Sequence, residues 1–154
     1  MNTNDNQESY ISDICNTYRK MRDWDFSKIM EFHLSVTDIS KLESQRQLDA
    51  YLRFMAINCH VGRPMAVSRQ VDPLWHNHIL HTSDYQSFCL KYAGKMLHHF
   101  PAVRGQVHEN LRTHYLLDTV PTHNIIFGND ETYFPSDPTQ AICWCAYEVV
   151  PQVA

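Results

Sequence analysis

Apolar and polar positions alternate along this chain mainly with the period of a helix. Residues 1–8 are polar and expected to fray, after which Tyr10, Ile11, Ile14, Tyr18 and Met21 form a stripe with 3.6-residue spacing, a first helix. Asp23-Trp24-Asp25-Phe26-Ser27 reads as a turn with Ser27 as cap, and Ile29, Met30, Phe32, His33 and Val36 follow as a second helix. Trp24 is read as a core anchor. Ser40-Lys41-Leu42-Glu43 has the pattern of a capping box, in which hydroxyl and carboxylate satisfy reciprocal backbone donors. It leads Leu48, Tyr51, Leu52, Met55, Ala56 and Cys59 through a long helix to about His60, with Gly62 and Pro64 as breakers.

Met65 to Gln70 reads as a loop. Asp72-Pro73 then signals a helix start, with Asp72 as N-cap and Pro73 where no backbone N–H is needed. Leu74, His78, His81, Tyr85, Phe88 and Tyr92 share one stripe until Gly94, which predicts a single long helix with His98 and His99 just past its end. Beyond Phe100-Pro101, Val107, Leu111, His114, Tyr115, Leu117 and Asp118 suggest a helix from about Ala102 that ends before Pro121, and Thr122 to Phe127 a short one with a glycine exit. Ala141 to Val150 is the one strand-like segment, and a single strand cannot make a sheet. The expected fold is therefore all-α: one domain, a compact bundle of about five or six helices, with residues 129–154 as an extended tail packed on them.

Composition narrows the function classes. A chain of 154 residues, 44% hydrophobic, can bury one core, and its 13 Lys and Arg are scattered against a net charge of -4. Neither nucleic acid nor an acidic membrane is an expected partner. No stretch approaches the roughly 20 apolar residues of a membrane span, and MNTNDNQESY lacks the basic and apolar parts of a secretory signal, so a cytoplasmic location is expected. Five cysteines without a C-x-x-C pair argue against a disulfide framework and a zinc ribbon. Cys143 and Cys145 fall on one face if extended, which permits paired ligation, although inert buried thiols are the preferred reading.

The unusual feature is histidine. Five of the ten lie between Val71 and Pro101. His76 and His78 are about 200° apart on a regular helix and cannot share a metal, whereas His78 and His81 can share a face. Asp72 precedes His76 by one turn, where its carboxylate can orient an imidazole. His98 and His99 are adjacent, so only one need point inward. His60 is read as capping the last carbonyls of its helix, with reach to the His76 region as the alternative.

The run Val71-Asp72, Leu74-Trp75-His76, His78-Ile79-Leu80, Tyr85, Phe88-Cys89, Gly94 and Leu97-His98-His99 resembles the glycine-rich-domain-containing-protein-like family, through its W-H-x-H-x-L segment, later Tyr and G-x-x-x-x-H ending. Asp23-Trp24-Asp25-Phe26, Tyr115, Phe127-Gly128, Phe134-Pro135 and Cys143 look like the pattern of small bacterial members and extend the likeness over most of the chain. The resemblance implies a helical histidine module without an assigned activity; with four glycines, the chain has no glycine-rich region.

Two functions are weighed. In the preferred one the chain is a structural or protein-interaction module whose Trp75 and Tyr85 anchor the core while His76 and His99 are hydrogen-bonded packing groups. In the other, His76 and His99 hold a single Zn or Fe, with Asp72 as ligand or orienting group and Trp75, His78, Tyr85 and His98 in support. A protein or a small molecule is the expected partner. No H-E-x-x-H, H-x-E…C-x-x-C, G-x-S-x-G or phosphate-binding glycine loop assigns a reaction. Cys89 as a nucleophile is disfavoured, because His76 lies roughly 20 Å away along a helix.

Overall fold

A computed structural model describes residues 3–103, 105 and 108–147. The first three helices are α1 (Thr3–Met21), α2 (Ser27–Val36) and α3 (Lys41–Val61), followed by strand β1 (Met65–Ser68). Helices α4 (Asp72–Leu80) and α5 (Thr82–Ala93) and strand β2 (His98–Pro101) come next. Helix α6 (Glu109–His114) runs through a π-helical stretch (Tyr115–Thr119) into α7 (Val120–Phe127), and a short 3-10 turn (Pro138–Gln140) leads to β3 (Ala141–Ala146).

The capping box starts α3 as expected: Ser40 Oγ accepts from the Glu43 N–H, and Glu43 accepts from the Ser40 N–H at 3.0 Å. Gly62, in the left-handed region at φ 62°, ends it. Helix α1 already starts at Thr3, exposed as far as Ser9. Ile14 and Met21 are its buried residues, and it packs on α3.

The all-α expectation is corrected by a three-stranded antiparallel sheet of order β1-β3-β2. The segment read as a loop supplies β1, and the segment read as a lone tail supplies the central strand. Met65 pairs with Cys145 and Val67 with Cys143, while His99 pairs with Cys145 and Pro101 with Cys143. Four-residue strands carry too little alternation to be told from a loop, and β1 is buried at every position. Pro101 is tolerated because β2 lies at the sheet edge. The part of the proposed tail beyond Tyr147 lies outside the described residues.

One sheet face, with Met65, Val67, Cys143 and Cys145, closes the main helical core around Trp75, Tyr51, Phe54 and Phe88. The other face, with Ala66 and Trp144, packs on Leu111, Tyr115 and Val120. The sheet is therefore a middle layer.

The single helix expected from Pro73 to Gly94 is two. The chain breaks at His81 (φ -86°, ψ 67°), whose Nδ1–H donates to the Asn77 carbonyl at 2.8 Å. Thr82-Ser83-Asp84 then begins α5 with an acidic first turn, favourable to the helix dipole. The apolar stripe survives because both helices bury the same side, so spacing alone cannot reveal the break. His98 and His99 accordingly lie on a strand.

The sequence predicts a helix end before Pro121, yet this residue sits in the first turn of α7. The π stretch before it absorbs the disruption: the Val120 N–H bonds to the Tyr115 carbonyl, five residues back. The helix expected from Ala102 begins at Glu109, and Val107 of its predicted stripe lies outside the described residues. Among the described residues no helix is long and apolar enough to cross a membrane.

Candidate metal centre

Asp72 is the first residue of α4 and not its cap; Val71 takes the capping position, with no side-chain cap bond. A tight turn delivers it there. The Val71 N–H bonds back to the Ser68 carbonyl at 3.2 Å, so α4 begins directly beside the end of β1. Since β3 pairs with β1 and β2 pairs with β3, the Asp72 carboxylate meets inward-facing residues of both. His99 Nε2–H donates to Asp72 Oδ1 at 2.7 Å, and the Cys143 thiol donates to the same oxygen at 3.2 Å.

An imidazole nitrogen, a thiol and a carboxylate oxygen from three elements thus lie within 4.8 Å of one another. Cys143 is buried, while the Asp72 and His99 side chains keep 20% and 17% exposure, so the cluster sits just beneath the surface. Behind it, the Trp75 ring lies 4.6 Å from that of His99. In front, the exposed His76 ring is centred 6.4 Å from His99. The structure brings Asp72, His76, His99 and Trp75 together and adds Cys143.

Protonation follows from these neighbours. Burial pushes the Asp72 carboxyl up, but hydrogen bonds from His99 and Cys143 and the charges of His99 and His76 outweigh it and hold the group below the usual carboxylate value. Burial first, and then the adjacent Asp72, drive the Cys143 thiol well above its ordinary value. Cys143 therefore keeps its proton and aims it at a carboxylate, which is no arrangement for a nucleophile. A bound cation would reverse that preference by taking the proton's place. Cys89 is also buried, and burial raises its thiol too.

The supporting residues divide. Tyr85, buried, accepts from Trp75 Nε1–H at 3.0 Å and donates to the Leu97 carbonyl, which ties α4 and α5 to the chain entering β2. His98 is exposed on the opposite face of β2 and, with His99, Met96 and Tyr147, borders a groove of about 610 Å³. His78 belongs to a separate network: Tyr51 Oη–H donates to its Nδ1 at 2.7 Å, and its Nε2–H donates to Asp84 at 2.8 Å. Trp24, expected as an apolar anchor, also donates to Asp84, at 3.0 Å. His60 is held at α1 by Thr17, at 2.8 Å.

Sequence reasoning missed two further histidine networks. His33 donates to Gln47 at 2.6 Å and accepts from Asn77 at 2.7 Å, joining α2, α3 and α4. His123 accepts from Arg53 at 2.6 Å and stacks on Phe134 with ring centres 3.7 Å apart, while Arg53 also reaches Asp130 at 2.9 Å. The hydrogen bonds of His33 to Gln47 and Asn77, and of Arg53 to His123 and Asp130, join residues 14 to 77 positions apart, so no local spacing announces them.

These networks have a pH consequence. Burial brings both His78 and His123 down to about 4 from the ordinary 6.5. Between those values the unfolded chain takes up protons that the folded chain refuses, so stability present above pH 6.5 is lost as pH falls towards 4. The loss should approach roughly 3 kcal/mol per histidine. Urea midpoints measured at about pH 7 and about pH 4.5 check this, and equal midpoints would contradict the burial of both rings.

A model of the UCP032817-like family matches residues 13–118, more than half of the chain. The chain belongs to the UCP032817-like family. This corrects the expected membership of the glycine-rich-domain-containing-protein-like family, which rested on the run from Val71 to His99 and on scattered flanking matches over most of the chain. No curated protein and no solved structure matches. In this member of the UCP032817-like family, Asp72, His76 and His99 lie inside the matched span, whereas Cys143 lies beyond it.

Proposed function

We propose that the chain is a helical module that binds one divalent transition metal, with Asp72, His99 and Cys143 as ligands. The observation that carries this reading is the convergence of three different donor types from α4, β2 and β3 within 4.8 Å. A thiolate disfavours magnesium and calcium, which prefer all-oxygen shells. It also departs from the two-histidine, one-carboxylate set of iron-dependent oxygen chemistry, so Zn is favoured over Fe.

The packing reading of the histidines applies with most force to His33, His78 and His123, each buried and hydrogen-bonded through both ring nitrogens. His99 differs in facing a carboxylate and a thiol at the edge of the core. Elemental analysis of protein purified without a histidine tag tests the proposal. About one equivalent of zinc is expected in the wild type, with loss of most of it in His99→Ala and in Cys143→Ser. Wild-type protein that stays metal-free after incubation with zinc would leave only the packing reading.

A further inference from the structure

Three donors leave a tetrahedral ion one position short, and what fills it decides whether the site is a reaction centre or a staple. We infer that His76 supplies the fourth ligand, closing the site into a four-coordinate centre of structural type; this rests on the metal reading above. His76 follows Asp72 by four residues on α4, so both side chains rise from the same face of one helical turn. The same four-residue offset lets two side chains of one helix grip one zinc in other proteins.

The distances agree. Two imidazoles on one tetrahedral zinc, each nitrogen about 2 Å from the metal, have ring centres about 5 Å apart. His76 and His99 stand at 6.4 Å with their planes inclined by 67°. Closing the site requires a rotation about the His76 side-chain bonds, and exposure leaves that ring free to turn.

Other nearby donors are engaged or turned away. His78 is held by Tyr51 and Asp84, and His81 by the Asn77 carbonyl. His98 lies on the opposite face of β2 from His99. Cys145, paired with His99 across β2 and β3, is fully buried in the helical core. Among the described residues, the exposed His76 is the donor beside this cluster that is neither engaged nor turned away, and it stands on the solvent side, where a fourth ligand approaches.

A closed site binds no substrate. It pins the first turn of α4 to the edge strand and the central strand, which otherwise meet there through two hydrogen bonds to a single oxygen. The ligand then belongs to the fold, and the partner class is the metal ion alone.

Cobalt substitution tests this. Reconstituted with Co(II) alone, the wild type should show a thiolate-to-cobalt charge-transfer band and intense four-coordinate d–d bands, and neither should move when azide is added. His76→Ala should keep the charge-transfer band while its d–d bands become weaker and azide-sensitive. His76→Asp, which restores a donor, should regain azide insensitivity. An azide response in the wild type, or a His76→Ala spectrum identical to the wild type, would overturn the closed site while leaving the metal reading intact. Absence of the charge-transfer band in the wild type, or its persistence in Cys143→Ser, would overturn both. Because His76 is exposed, its replacement should leave far-ultraviolet circular dichroism unchanged.

Discussion

Zinc added to the metal-stripped chain at about one hundred times its dissociation constant should stabilise the folded state by about 2.7 kcal/mol, which for a domain of this size raises the Tm by roughly 5–10 °C. The sign follows from linkage, because the donors of α4, β2 and β3 converge only in the folded state. Excess chelator should return the Tm to its starting value. Cys143→Ser should abolish most of the shift, since a hydroxyl in place of the thiolate is a poor zinc ligand. The starting Tm of that variant should change little, because a serine hydroxyl can donate to Asp72 in place of the thiol. Differential scanning calorimetry with and without zinc separates the two effects. An equal zinc shift in Cys143→Ser would place the metal elsewhere.

Trp75→Ala should cost about 3–5 kcal/mol, the usual range for deleting a large buried aromatic side chain. Trp75 has no exposed surface, packs 6.0 Å from Phe54 and 4.6 Å from His99 by ring centres, and donates its indole N–H to Tyr85. Truncation opens a cavity at the junction of α3, α4 and β2 and removes the wall behind His99. Trp75→Phe isolates the packing part. It keeps most of the ring and loses one hydrogen bond, worth about 1 kcal/mol, and Tyr85 still donates to the Leu97 carbonyl. Urea unfolding should therefore order the proteins wild type, Phe, Ala, with the larger step last. Zinc affinity should follow the same order, because an imidazole without its backing ring no longer holds one orientation. Equal stability for the Phe and Ala variants would contradict this account of the core.

Much of the helical framework can be read directly from the chain. The α3 capping box, its glycine exit and the stripe through Tyr51 and Met55 each follow a local rule, and each appears in the structure. The importance of the segment from Asp72 to His99 was also legible, because aspartate, tryptophan and histidines are dense there. Its geometry was not. Periodicity carried the stripe across His81 without a break, and it placed His99 beyond a helix when it lies on a strand paired with Cys145. As a ligand, Cys143 is suggested by the sequence only beside Cys145, since nothing along the chain links it to Asp72, 71 positions away.

Local chemistry, then, determined where helices start, where glycine ends them and which faces are apolar, because capping and amphipathic spacing act over one or two turns. Strand pairing and donor convergence were decided by the tertiary structure alone. A strand of four residues has no stability until a partner supplies its hydrogen bonds, and here β3, the last described element, supplies them to both β1 and β2. That late pairing carries Cys143 to Asp72 and turns His99 towards the same carboxylate. The sheet is therefore the physical reason that a candidate metal centre exists in a mostly helical protein.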